Sequence, residues 1–521
     1  MNKISIASLI IFPCSAFSGE LTVLPSISTT GYLTQTQLGE ESKDNNVAIA
    51  FQPKLVSVYD SKKVDVSLSL EQTLVRQNDE GGDKNFTDAS INSMVNIIDK
   101  TLLFSVVGNQ SYRALNQGQD LFSDKLLASG DLSKVKNYSS NLMFTLPNPK
   151  YFGLNLTTGY SETSSEQSLD SNNGLDSSNI LASSRLYSGR RLQIVTFDFS
   201  ANYNKSDRTN LSEFESTSLN GNVKFKIFDK LRFVLTGRDE QYNFDENSSV
   251  SRPSLDTTSY GAGLGWYARD DRFFQLTYNT LEEGDNTNNF VGFDMDWAFS
   301  QRTSLSANYG KRFYGDAYAL QFDYKMKYLK SSLRYSEDIT TFARLSQSTN
   351  SLGLFVCELG ASDFSTCFQP QELNYELQPG EQFITYNETI SDITDEVILS
   401  KSARYELAYD KRKIKISFNL GYQQTEYLET NRLQKYKTAG VVFNYDLSRK
   451  TNISLNTQLI NRETTDTEQG EDTHSITLSG KHSLSRNADV DLSFRWLDRN
   501  SENELRDATD KRLTLGFTYS F

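Results

Sequence analysis

The sequence predicts an all-β fold: a transmembrane, antiparallel, up-and-down β-barrel of about 24 strands. Three observations carry this. Tight turns bearing Lys or Arg recur at intervals of mostly thirty to forty residues and alternate with longer polar loops. The segments between them alternate apolar and polar residues, the period of a strand whose two faces meet different surroundings. No apolar run approaches the roughly 18–20 residues that a membrane helix needs. The low mean hydropathy is what a polar inner face averaged against an apolar outer face produces.

The turns are Asp60–Lys63, Asp99–Lys100, Asn148–Lys150, Gly189–Arg191, Asp229–Lys230, Arg269–Arg272, Ser300–Arg302, Leu329–Lys330, Asp410–Lys413, Ser448–Lys450 and Ser485–Asn487. Two strands per turn and one more at each end give 24, with both termini on the turn side, which is periplasmic in this class of barrel. The interval between the turns at 330 and 410 is twice the usual spacing. Leu352–Val356 and Phe383–Tyr386 look strand-like there, and an extra hairpin would raise the count to 26. No basic tight turn separates them, so one long loop, 343–392, is expected.

The strands themselves show the alternation. Leu513, Leu515, Phe517, Tyr519 and Phe521 share one face, and Thr514, Gly516, Thr518 and Ser520 the other. Val490, Leu492, Phe494 and Trp496 oppose Asp491, Ser493 and Arg495. Tyr318, Leu320, Phe322 and Tyr324 oppose Gln321, Asp323 and Lys325. A charge on the lipid side of such a strand costs about 2–4 kcal/mol at mid-bilayer, so the segregation is energetically demanded. Residues 98–108 and 192–199 carry apolar residues on both faces, and their register is less clear. The 32 Phe, 27 Tyr and 3 Trp suit girdles at the two membrane boundaries.

The N-terminus reads as an export signal over residues 1–18. Lys3 precedes the apolar run Ile4–Phe12, and Ala16 and Ser18 are small residues placed for cleavage before Gly19. Cys14 falls in that segment, and Pro13 before it argues against lipidation. Residues 19–521 then form a single barrel domain, with eight prolines in the whole chain and no Gly/Ser linker to mark a boundary. A first strand near Ile27 would leave no room for an N-terminal plug. Cys357 and Cys367 both lie in the 343–392 loop, and in an exported protein they are expected to form a disulfide. A metal site would need more ligands, and His474 and His482 are distant in sequence.

About 24 strands enclose a backbone diameter on the order of 45–50 Å, too wide for side chains to fill. Water, a plug or folded-in loops must occupy it, and the 343–392 loop is the candidate stopper. Nine cations are placed by alternation on the lumen side: Lys224, Lys226, Arg232, Arg238, Lys325, Lys327, Arg334, Lys415 and Arg495. They either set ion preference, as charge rings do in channels, or pair with lumen carboxylates such as Asp323, Asp491 and Glu406. The acidic loop segments and the net charge of −13 need no ligand beyond solubility. No catalytic constellation is expected, because His474 and His482 lie about 27 Å apart along one strand and alternate with the nearby serines. No cofactor, metal or nucleic-acid partner is expected either. Phe521 closes an alternating aromatic strand, an assembly signal for the barrel-assembly machinery.

The segment Arg334-Tyr335-Ser336-Glu337-Asp338-Ile339-Thr340-Thr341, with the early Pro25-Ser26-Ile27-Ser28 start, resembles the PEP-CTERM system-associated outer-membrane β-barrel proteins. The resemblance implies a Gram-negative outer-membrane barrel associated with exosortase and exopolysaccharide systems, without defined enzymatic residues. Its expected partners are outer-membrane lipid and a polysaccharide or exported-protein cargo. Two functional classes follow: a porin-like passage, or a non-conducting scaffold for surface polymer or sorted proteins.

Overall fold

A computed structural model describes residues 19–39, 43–78, 83–114, 125, 132–165, 176–208, 213–244, 254–269, 272–284, 286–341, 354–358, 381–385, 397–428, 432–464, 469–502 and 507–521. Twenty-four strands form one antiparallel sheet, and it closes. The first strand, Glu20–Leu38, pairs with Asp44–Asp60 on one side and with the last strand, Ala508–Ser520, on the other. Closure removes both sheet edges, so the backbone groups of the wall are satisfied within it, the condition for crossing a bilayer. No helix occurs among the described residues.

Two further short strands, Leu354–Glu358 and Glu381–Thr385, pair with each other in a separate sheet. They include most of the strand-like pieces of the long interval. The wall has no edge to receive them, because Leu329–Thr341 pairs directly with Val397–Lys411. The first strand begins at Glu20, earlier than the expected Ile27, because Glu20–Ser26 find partners at Lys54–Asp60. The signal segment, residues 1–18, and Cys367 lie outside the described residues, as does the side chain of Cys357.

The segments of unclear register have local causes. The pairing with Leu102–Ala114 slips between Asn96 and Ile98, and that bulge leaves both Ile97 and Ile98 exposed. Residues 190–194 belong to a turn, and the pleat starts only at Val195. Three tight turns hold a non-glycine residue in the left-handed region: Lys100 (φ 58°), Asn148 (φ 50°) and Arg412 (φ 58°).

Directly paired residues share a face, so the register carries one apolar surface around the cylinder. Leu515 lies opposite Leu492, Leu513 opposite Leu33 and Phe494, and Leu455 opposite Leu478 and Phe443. These side chains are largely exposed in the absence of lipid; Leu515 is 59% exposed and Leu478 48%. Aromatic rings bound the belt at both ends. Near the turns, Trp266 stacks on Trp297 at 5.6 Å and meets Phe274 at a tilt, and Tyr519 meets Phe521 edge-on at 4.9 Å. Toward the loops, the hydroxyls of Tyr160, Tyr260, Tyr309 and Tyr335 donate to Glu162, Glu282, Asp316 and Glu337. Each of these tyrosines lays its ring at the boundary and turns its polar end toward water.

Candidate functional site

The face opposite the apolar belt lines the bore. It is mostly Ser, Thr, Asn and Gln, with charges held in specific pairs. Arg185 grips Asp198 on the neighbouring strand through Nε at 3.0 Å and Nη2 at 2.5 Å, and Lys54 meets Glu71 at 3.2 Å. The fork-shaped Arg185–Asp198 pairing fixes both of its partners in place.

The nine cations read from the sequence fall into several settings. Lys224 and Arg232 lie over two stacked rings, Tyr267 and Phe273, whose centroids are 5.0 Å apart. Lys224 Nζ is 5.2 Å from the first ring and 5.1 Å from the second, and the Arg232 guanidinium is 4.3 Å from Tyr267. The Tyr267 hydroxyl donates to Gln275 at 3.0 Å. Gly265 leaves the space for this ring: a Cβ there would come within 2.6 Å of it. Cation–π attraction therefore holds these two charges to the wall. Lys226 pairs with Asp229 at 2.9 Å, and that contact holds the turn carboxyl below its usual range. Arg495 approaches Asp510 at 3.9 Å. Arg334 sits opposite Arg404, and Lys415 opposite Asp410. Lys325 ends its strand. Lys327 departs from its lumen assignment, since it lies in the turn between Lys325 and Leu329, with Nζ 5.1 Å from the Tyr328 ring; alternation does not govern a turn.

The loop-side mouth holds what the sequence reading missed. The hairpin of Thr303–Arg312 and Gly315–Lys325 is short, and Phe313 and Tyr314 form its tip. Arg312 reaches Glu240 at 3.3 Å, although three strands lie between theirs in the sheet. Four strand spacings are about 19 Å along the wall, beyond the combined reach of two side chains. The tip therefore leaves the wall and crosses the bore. Phe313 packs on Tyr242 at 5.5 Å, and Tyr242 on Phe214 at 6.5 Å. Ile339, Val397 and Leu399 complete this buried cluster.

Those last three reveal a second departure. By register they continue the lipid-facing row of Leu333 and Tyr405, yet they are at most 5% exposed. Pairing between Gly315–Lys325 and Leu329–Thr341 stops at Leu320 opposite Tyr335. Beyond it, the ribbon of residues 336–341 and 397–402 is free on one side and joins the hairpin tip. Lys401 Nζ stands 5.4 Å from the Tyr314 ring, and Tyr335 donates to Glu337. Glu240 is 2% exposed and also lies 3.8 Å from Arg238. Burial pushes the Tyr314 hydroxyl up to about 12, against the pull of Arg312, so it stays protonated while accepting from Arg312 Nη1 at 3.5 Å. Only the brevity of the 303–325 hairpin could have signalled this crossing.

His474 and His482 lie on the belt side, opposite Leu459 and Thr451, whereas Ser475 and Ser479 face the bore. Among the described residues, no group of three His, Cys, Asp or Glu side chains gathers as a metal site. Phe521 lies at the seam, its amide donating to the Pro25 carbonyl at 3.0 Å.

The fold is that of an outer-membrane β-barrel. No known family pattern and no curated protein matches the chain. Among solved structures, the ferric enterobactin receptor of Pseudomonas aeruginosa is similar over 95% of this chain and 80% of its own, at 10% identity and a TM-score of 0.38. The FrpB iron transporter of Neisseria meningitidis gives 96%, 81%, 8% and 0.43. A loop-deletion form of OmpT, an outer membrane protein of Vibrio cholerae, gives 96%, 99%, 9% and 0.30. These are likenesses of fold alone.

Proposed function

We propose that this barrel is a porin-like passage for a large hydrophilic cargo, with a surface polymer or sorted proteins as the material exported. In this reading both termini are periplasmic and the loop-side mouth opens outward. The single observation that carries it is the segregation of faces: an apolar belt outside, and a hydroxyl- and amide-rich wall inside a bore too wide for side chains to fill. The resemblance of the Arg334–Thr341 segment supports the link to surface export. The crossing tip at Phe313 and Tyr314, together with the 343–392 loop expected from the sequence, acts as the gate.

Purified protein in planar bilayers should conduct, with larger steps once Cys357 and Cys367 are reduced or residues 343–392 removed. No channel in any of these states would reject the passage. A second reading, a non-conducting scaffold for surface material, is favoured by the nearly solvent-free cluster across the mouth. A deletion strain that loses surface polymer while keeping normal permeability would select it.

A further inference from the structure

Arg334 and Lys325 stand apart from the paired charges of the bore. Both are exposed, and neither makes an ion pair or a side-chain hydrogen bond with a described residue. Each is set beside another cation. Arg334 lies directly opposite Arg404, and Lys325 opposite Lys330, with about 5 Å between the paired backbones. Like charges placed opposite each other destabilise a sheet, so this stretch of wall holds both pairs at a cost.

The wall's own carboxylates do not remove that cost. Between the two cationic rows, the lumen-side row holds Asp323, Ser332 and Glu406, so four cations face two carboxylates. Asp323 accepts from Gln321 Nε2 at 2.8 Å, while Glu406, Arg404 and Lys330 have partners of their own. In the row of Arg334 the next carboxylate is Asp296, beyond Gln321 and Ser306, three strand spacings or about 14 Å away. On the other side Gly421 and Thr438 follow Arg404 and carry no charge. Toward the loops come Ser336 and Ser402, whose hydroxyls bond at 3.1 Å, and then Asp338 opposite Ser400. Arg334 is also the last lumen-side residue of Leu329–Thr341 held on both sides, by Gln321 and Arg404. Beyond it the ribbon of residues 336–341 and 397–402 joins the hairpin tip, so the guanidinium stands at the foot of the crossing.

We propose that Arg334, with Arg404 beside it and the Lys325 row about 14 Å toward the turns, binds the carboxylates of an acidic saccharide chain. The proposal deepens the passage reading and rests on it for a water-filled bore. A guanidinium grips a carboxylate through two parallel hydrogen bonds, and Arg334 has not spent its donors elsewhere. A chain with repeated carboxylates meets both cationic rows at once, the second contact then being intramolecular. A lone small anion meets one row, and a neutral chain leaves both like-charge pairs unrelieved.

The test uses the full-length chain with hexagalacturonate as the acidic probe and maltohexaose as the neutral one, by calorimetry in detergent and by current block in planar bilayers. Hexagalacturonate should bind about tenfold or more tighter than maltohexaose and than monomeric galacturonate. Arg334→Gln removes a like-charge contact at an exposed position, so folding is kept, and should cost about tenfold in hexagalacturonate affinity. Arg334→Lys keeps the charge without the fork and should recover part of that loss. Lys226→Gln removes a cation already paired with Asp229 and should change the affinity less than about twofold. Equal affinities for the two hexamers, no loss in Arg334→Gln, or an equal loss in Lys226→Gln would overturn the site. Conductance without hexagalacturonate binding would leave the passage standing and remove the site. Binding that Arg334→Gln weakens, without conductance in any state, would keep the site and reject the passage.

Discussion

Leu478 tests the physical basis of the fold. It lies near the middle of Gln469–Ser483, opposite Leu455 and Phe494, and is 48% exposed on the belt face. Its neighbour Ser479 faces the bore between Ser454 and Ser493. Leu478→Arg puts a guanidinium into hydrocarbon, at a cost of about 2–4 kcal/mol at the midplane. That is a loss of about 30-fold to several-hundred-fold in the folding equilibrium. Ser479→Arg places the same group in water beside two hydroxyls and should cost within about 0.5 kcal/mol, as surface changes do. Urea titration of refolding into liposomes, followed by heat-modifiable gel mobility, measures both. Equal losses, or a larger loss for Ser479→Arg, would refute the assignment of faces on which the barrel reading depends.

Four further outcomes follow from the same geometry. Trp266, Trp297 and Trp496 all lie on the belt face, so brominated lipid should quench most of the tryptophan emission and iodide little of it. Arg312→Met removes the closer of the two arginines beside the buried Glu240 and leaves Arg238 at 3.8 Å; stability should fall by about 2–4 kcal/mol in thermal unfolding, and channel conductance should rise as the tip releases. A Cβ at Gly263 would sit 1.9 Å from the Leu276 carbonyl oxygen, so Gly263→Val should destabilise on the order of 3 kcal/mol in urea, whereas Gly237→Val, with nothing within 4 Å of its Cβ, should cost far less. Arg412→Gly relieves a left-handed backbone and should raise the urea midpoint by the equivalent of about 1 kcal/mol.

The wall was legible because alternation is a local property: Leu513, Leu515 and Phe517 declare their face without reference to any other strand. The eleven basic turns were legible for the same reason, and they lead to the 24 strands observed. Lys327 was misplaced because alternation stops where a strand stops. The weak register near residue 98 came from a bulge at Asn96 and Ile98, which two strands make together and neither announces alone. Arg185 and Asp198 could have been paired by counting register, whereas Arg312 and Glu240 could not.

By itself, then, the order of residues determined the cylinder, its apolar exterior and its polar bore, since each strand partitions its two faces independently between lipid and water. Tertiary structure alone decided what stands in the mouth. Whether Arg312 meets Glu240, or Ile339 and Leu399 abandon the lipid row to pack near Phe214, depends on where the sheet stops pairing at Tyr335 and how the freed ribbon folds inward. Those are contacts between strands far apart in sequence, or between burial and register, and no local periodicity encodes them.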